Sequence, residues 1–239
     1  MGGPVSAIVV RGFQSPMGAP LVKLTRCRSG AQGDKGWTAM VRAGLGRDFF
    51  ERPPDIVARE LVGSILVVRH EGAVRRVRID ETEAYGGRDD PASHAFRGPT
   101  ARSAIMFERA GMLYVYRSYG IHWCMNVVTE RAGTASAVLL RAAQVVDGPT
   151  VRLVLSAKSN LLCGPGILTR ELGITGADNG VDCCEGTPSK IRFKPRDAST
   201  TFEIGVSARV GISRGQERMS RYFIVGSPAV SKRMTGESI

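Results

Sequence analysis

Leu113-Tyr114-Val115-Tyr116-Arg117-Ser118-Tyr119-Gly120-Ile121-His122-Trp123-Cys124-Met125-Asn126 is the stretch on which the fold turns. Two runs rich in β-branched and aromatic residues, 112–119 and 121–129, meet at Gly120. Such residues fit a pleated surface, and two such runs around a tight turn predict a β-hairpin. A lone hairpin is marginal in water, so other strands must extend it. Upstream, 64–69 and 74–79 predict two strands joined at Glu71-Gly72, with 80–85 continuing the second. Before them, apolar Val57, Ala58, Leu61 and Val62 have helical spacing, with Asp55 as the N-cap. The turn residues of 86–100 mark a loop, and 103–110 predicts a short helix ending at Gly111. Downstream, 135–146 predicts a strand, and 209–212 and 222–225 predict two late ones. The fold class is therefore α+β: a single mixed domain on a largely antiparallel curved sheet with a protruding β-hairpin.

Composition narrows the class of protein. The chain has 239 residues, 43% hydrophobic and 23% charged, which excludes a wholly disordered polymer. No apolar run approaches the ~18 residues of a membrane helix, so no membrane partner is expected. The five cysteines, with Cys183 and Cys184 adjacent, form no disulfide framework and point to a reducing, cytoplasmic compartment. The formal net charge is +11, which favours a polyanionic partner such as nucleic acid. That charge is unevenly spread: 1–47 carries +6, 48–186 carries −1 and 187–239 carries +6. The glycine- and proline-rich 1–47 has no sustained period and reads as a disordered extension or a mis-assigned start, with Met40 as the alternative beginning. The domain is accordingly placed at 48–239.

Several residues have chemical potential. In Ile79-Asp80-Glu81-Thr82-Glu83-Ala84-Tyr85, strand alternation puts Glu81, Glu83 and Tyr85 on one face. A carboxylate beside an aromatic ring pairs an acid/base group with a stacking platform; taken alone, the same pattern also fits an exposed acidic edge. His94 sits on the following loop and is either simply solvated or folded back over Tyr85. Tyr114 and Tyr116 share a face, while Tyr119 lies at the hairpin tip, where an exposed aromatic calls for a partner. Asn126 is polar within an apolar run and needs a hydrogen-bond partner from the protein or a ligand. Arg141 lies inside Val138-Leu139-Leu140-Arg141-Ala142-Ala143, where an unpaired charge is costly. It either pairs with Glu81 or Glu83 or contacts an anion or a base. No zinc spacing, Walker A loop or dinucleotide fingerprint occurs, so neither a metal nor a cofactor is expected.

Together these stretches closely resemble the alkyladenine (3-methyladenine) DNA glycosylase family. The resemblance spans roughly Asp48 to Lys232. It is carried by Ala58-Arg59-Glu60-Leu61-Val62-Gly63, Glu81-Thr82-Glu83-Ala84-Tyr85, Ser93-His94, Met106-Phe107, Gly111-Met112-Leu113-Tyr114-Val115-Tyr116, Tyr119-Gly120 and Cys124-Met125-Asn126-Val127. Val138-Leu139-Leu140-Arg141-Ala142, Gly164-Pro165-Gly166-Ile167-Leu168-Thr169, Gly211-Ile212-Ser213-Arg214 and Gly226-Ser227-Pro228 continue it. The specificity lies in their order and spacing.

The resemblance implies a monofunctional glycosylase that acts on duplex DNA containing alkylated or deaminated purines, as a monomer. It implies Glu83 as the general base, Tyr85, His94, Tyr116 and Asn126 as the base pocket, and Tyr119 as the residue that enters the DNA stack. Arg141 matches an arginine near the family's pocket and DNA surface. Arg117 and His122 depart from the apolar or aromatic residues common beside that wedge. The stretch 146–163 is also shorter than in the family. It motivates an alternative, a non-catalytic DNA-damage-binding protein on the same fold. A more distant alternative is a formyltransferase-like substrate-binding domain.

Overall fold

The computed structural model describes residues 44–70, 73–147, 160–184, 186 and 189–230. Two short helices, α1 (Arg47–Phe50) and α2 (Pro54–Leu61), precede strands β1 (Ile65–His70) and β2 (Ala73–Tyr85). The hairpin follows as β3 (Leu113–Ser118) and β4 (His122–Val128), then β5 (Ala137–Asp147) and β6 (Leu161–Cys163). Helix α3 (Pro165–Leu172) and strands β7 (Ile191–Lys194), β8 (Ile204–Ser207) and β9 (Arg221–Ile224) complete the order. The nine strands of the described residues join one sheet: β3-β4-β5-β2-β1-β7 in order, with β6 on β5, β9 on β2 and β8 on β9, and every pairing is antiparallel. The largely antiparallel curved sheet expected from the hairpin is what forms.

The two longest strands make the spine. Along β2, one edge passes from β1 at Ala73–Arg78 to β9 at Glu81–Glu83. Along β5, one edge passes from β4 at Ala137–Leu139 to β6 at Ala142–Gln144. A strand that changes partners must bend, and β2 does so through register shifts on both sides of Glu81. The bend lies within the acidic motif itself.

One face of the sheet packs on α2 and α3. Val57, Leu61, Leu113, Val115, Met125, Val127, Leu140, Leu168 and Leu172 are buried there in one core. Burying each such side chain contributes roughly 1.5–3 kcal/mol. Thr82 faces this side and donates to the Ala58 carbonyl of α2 at 2.8 Å. The residues on either side of Thr82 therefore project from the opposite face. A second, smaller cluster of Ala95, Met106, Tyr114, Val128, Ala135 and Ala137 forms under the 86–112 segment.

Three local expectations are corrected. Asp55 is not the N-cap: Pro53 holds that position, and Pro54 occupies the first helical residue, where its missing N–H costs nothing. Asp55 instead accepts a hydrogen bond from the Tyr222 hydroxyl at 2.8 Å. The 103–110 helix shrinks to a 3-10 turn, Ala104–Phe107, which ends where Glu108 becomes extended and its N–H meets the Ile105 carbonyl. Residues 209–212 form no strand, since the Arg209 side chain and the Val210 amide are drawn to carboxylates of other segments. The neighbouring strand is β8 instead.

At the N-terminal side, Leu45 is buried and its amide donates to the Phe193 carbonyl at 2.8 Å. The 1–43 part of the basic leader and the 148–159 part of the short segment lie outside the described residues. Among the described residues, no helix is long and apolar enough to cross a membrane.

Candidate active site

Opposite the helices, alternate residues of β2 align as expected: Glu81, Glu83 and Tyr85. Glu81 and Glu83 are fully buried, so the acidic motif is no solvated edge. Glu83 Oε1 accepts the Val210 amide at 2.7 Å. Its Oε2 accepts the Tyr85 hydroxyl at 2.8 Å and Arg141 Nη1 at 3.3 Å. A carboxylate offers about four acceptor positions, and these donors occupy three of them. Burial pushes the Glu83 carboxyl above the ordinary range, against the opposing pull of Arg141, the Val210 amide and the Tyr85 hydroxyl. The same burial, with the Glu83 charge beside it, holds the Tyr85 phenol well above its usual value.

Arg141 answers the question its sequence posed. From β5 it pairs with both carboxylates, donating Nε to Glu81 at 2.8 Å and Nη1 to Glu83 at 3.3 Å. Burial alone would depress this guanidinium, but Glu83 and Glu81 together hold it above its ordinary value.

The aromatic residues gather on the same face from three segments. His94, on the loop after β2, lies edge-on to Tyr116 at 4.6 Å between ring centroids. Its Nδ1 is 2.8 Å from the Tyr114 hydroxyl, and Tyr114 leans on Tyr116 at 5.3 Å. The Arg102 cation near the Tyr114 phenol opposes the effect of burial on it. His94 is exposed on its outer side; desolvation where it packs against these rings, followed by the Arg102 cation, pushes it down to about 4. The Tyr114 phenol is pushed up to about 12, chiefly by burial. Asn126, opposite Tyr114 on β4, is buried and donates Nδ2 to the Tyr114 carbonyl at 3.1 Å. Part of its hydrogen-bonding demand is therefore met by the protein.

The rings of Tyr85 and His94 do not touch. What lies over Tyr85 is the Arg209 guanidinium, 4.7 Å from the ring centroid. Arg209 is buried and bidentate to Asp90, at 2.5 and 2.8 Å, and donates to the Ala84 carbonyl at 3.0 Å. Arg102 likewise covers Tyr116 at 4.7 Å. Two of the tyrosines thus carry an arginine on one face.

Tyr119 stands apart from this cluster, 92% exposed at the hairpin tip, with the left-handed φ of 50°. Gly120 follows with φ of 69°, so the tip is a turn of two left-handed residues. Ile121 beside it is exposed as well. A cavity of about 520 Å³ opens elsewhere, between Asp55, the 86–90 turn and the 130–135 turn. None of Glu83, Tyr85, His94, Tyr116, Asn126 or Arg141 lines it.

Sequence reasoning singled out Glu83, Tyr85, His94, Tyr116, Asn126 and Arg141, and all lie on this face. It missed Asp90, Arg102, Arg209 and Arg221. Asp90 lies 119 residues from Arg209, and no local pattern links them. The one available signal was charge within apolar surroundings, which requires a partner. Among the described residues, no group of three or more metal-ligating side chains is arranged to hold an ion.

Residues 48–228 match the family model described as methylpurine-DNA glycosylase. Curated relatives with the name "Putative 3-methyladenine DNA glycosylase" are similar over most of their length. That of Rhodopseudomonas palustris (strain BisB18) is 44% identical over 191 residues, covering 79% of this chain and 90% of the relative. That of Frankia casuarinae is 43% identical over 197 residues, covering 78% and 91%. That of Methanocella arvoryzae is 38% identical over 200 residues, covering 81% and 98%.

Proposed function

Because the chain belongs to the methylpurine-DNA glycosylase family, we propose that it hydrolyses the N-glycosidic bond of an alkylated or deaminated purine flipped out of duplex DNA. In this reading Glu83 is the general base. It takes a proton from a water whose oxygen attacks C1′ of the deoxyribose. The C1′–N9 bond breaks, its electron pair leaves with the purine, and an abasic C1′–OH remains; a cationic alkylated purine departs neutral, and a deaminated one takes up a proton from solvent to balance the one that Glu83 later releases. The observation that carries the reading is a fully buried carboxylate held by three donors beside a cluster of aromatic side chains.

Each further residue has a physical task. Flipping costs a few kcal/mol of stacking and pairing, and least for a damaged base. Tyr119, exposed on a turn, fills the space the base leaves in the stack. The base then stacks among Tyr85, His94 and Tyr116, at about 1–3 kcal/mol per stacked base. Asn126 sits beside Tyr114 at the floor and screens the purine edge. Arg141 keeps a positive charge beside the reacting centre. An alkylated purine leaves easily, so a positioned water and a base suffice, and the base supplies about 10²–10⁴-fold. The protein acts as a monomer on DNA, with no lysine among the described residues of the site for a Schiff base.

The test is a duplex with one hypoxanthine or one ethenoadenine, incubated with the chain and then treated with alkali. Strand breaks are expected with the wild type. With Glu83→Gln they should disappear while lesion binding persists. Unchanged breaks in that variant would remove Glu83 from the role. The Glu83 carboxyl is raised, so activity should fall on acidification at a pH above the ordinary carboxylate range.

A further inference from the structure

The reading of Glu83 as the base leaves a second buried carboxylate on the same strand without a task. Glu81 is fully buried, and its Oε1 accepts from two guanidinium groups at once. Arg141 Nε lies at 2.8 Å and Arg221 Nε at 2.7 Å. Arg221 comes from β9, directly across from Glu83 in the strand register. It also donates Nη1 to Ser207 Oγ at 3.2 Å and covers the Phe223 ring at 4.8 Å. Arg141 is forked between two acids, closer to Glu81 than to Glu83. Its position is therefore set by a contest between two carboxylates, and the charge on Glu81 is in turn shared with Arg221.

We propose that Glu81 and Arg221 are positioning residues for base excision: Glu81 draws Arg141 away from full pairing with Glu83, and Arg221 sets how strongly it draws. The inference rests on Glu83 being the general base. A carboxylate fully paired with arginine holds its charge too well to take a proton from water. One that shares its arginine stays a better base. The groups facing Glu83 are Arg141 from β5, Tyr85 and Glu81 from its own strand, and the Val210 amide and Arg209 cation from the loop after β8. Arg221 stands behind Glu81. The negative charge of Glu81 acts on Glu83 in the same sense as burial, raising its proton affinity.

The experiment is single-turnover excision of hypoxanthine from a duplex, followed against pH, in four variants beside the wild type. Glu81→Gln should move the acidic limb down by roughly 1 pH unit, because Arg141 then serves Glu83 alone. Its plateau rate should fall roughly tenfold to a hundredfold as Arg141 shifts, with lesion binding retained. Arg221→Gln should move the limb the opposite way, because Glu81 then pulls harder on Arg141 and a cation is lost. Arg221→Lys should return it to the wild-type position.

Limbs displaced in opposite directions support the proposal, since simple loosening of the site lowers plateaus without them. Limbs that stay in place, or move together, overturn it. Glu83→Gln separates the two levels of the argument. If that variant remains active, the reading of Glu83 fails. If it is silent while Glu81→Gln and Arg221→Gln trace the wild-type profile, only the positioning role fails. Should Glu81→Gln not fold, the Arg221 pair decides alone: an upward limb with Gln that Lys restores supports the proposal, and an unmoved limb overturns it.

Discussion

His94 lies edge-on to Tyr116 and shares a hydrogen bond with Tyr114, and this packing sets its charge. Held down to about 4 from 6.5, the imidazole is neutral throughout the physiological range. A proton on it favours the unfolded chain, so its contribution to stability is present above about pH 6.5 and is lost as pH falls toward 4. An NMR titration should therefore show the His94 ring signals unmoved between pH 7 and 5.5, and a midpoint near 6.5 would contradict the packing. Arg209 makes a second prediction at this scale. Its buried pair with Asp90 backs Tyr85, and removing one partner of such a pair costs about 3–5 kcal/mol. Arg209→Met should lower the urea midpoint by a corresponding amount, and a loss below about 1 kcal/mol would mean that water replaces the pair. Neither Arg209 nor Asp90 was legible in the sequence as part of the site. Each belongs to a segment that reads locally as loop or strand, and only their meeting gives them a role.

The hairpin shows how an element carries a task its residues do not carry singly. Leu113, Val115, Met125 and Val127 anchor it in the core, while Tyr114, Tyr116 and Asn126 face the site. Strand alternation makes both assignments at once, so one element is structural on one face and chemical on the other. Its tip leaves the sheet and exposes Tyr119 and Ile121. Tyr119 is almost wholly exposed and makes no core contact, so Tyr119→Ala should change stability by less than about 0.5 kcal/mol. The same variant should weaken binding to lesion duplex more than to undamaged duplex, as read by fluorescence anisotropy on both. Equal loss on the two DNAs would remove Tyr119 from the wedge role.

At the scale of the whole molecule, charge governs encounter with DNA. The formal +11 is carried mainly by arginine, and the basic excess lies in the first 47 residues and in 187–239, the latter including Arg209 and Arg221 of the site. Within the site, three of the cations are offset by acids: Glu81, Glu83 and Asp90 face Arg141, Arg209 and Arg221, with Arg102 over Tyr116 beside them. The long-range attraction must then come from outside the site and be sequence-independent. Binding of undamaged duplex should weaken linearly in log–log terms with salt, at a slope of about −0.9 per neutralised phosphate. Glu83→Gln should leave that slope unchanged, because the buried carboxylate does not meet phosphates. A change of one unit or more in the variant would show that the site itself contacts the backbone.

The hairpin, the β2 alternation and the helix before β1 were determined by sequence alone, because periodicity and turn chemistry act over a few residues. The side on which Glu81, Glu83 and Tyr85 lie also followed from period two. Tertiary structure decided the rest. Whether Arg141 met an acid or a ligand depended on β5 lying beside β2, sixty residues away in the chain for Glu81. Why 209–212 is no strand depended on Asp90 and Glu83 drawing its side chain and amide away from a ladder. That Glu81 holds two arginines depended on β9 taking over the edge that β1 leaves. Local propensity is read from neighbours along the chain, whereas buried charge is settled by whichever partner the fold brings within about 3 Å.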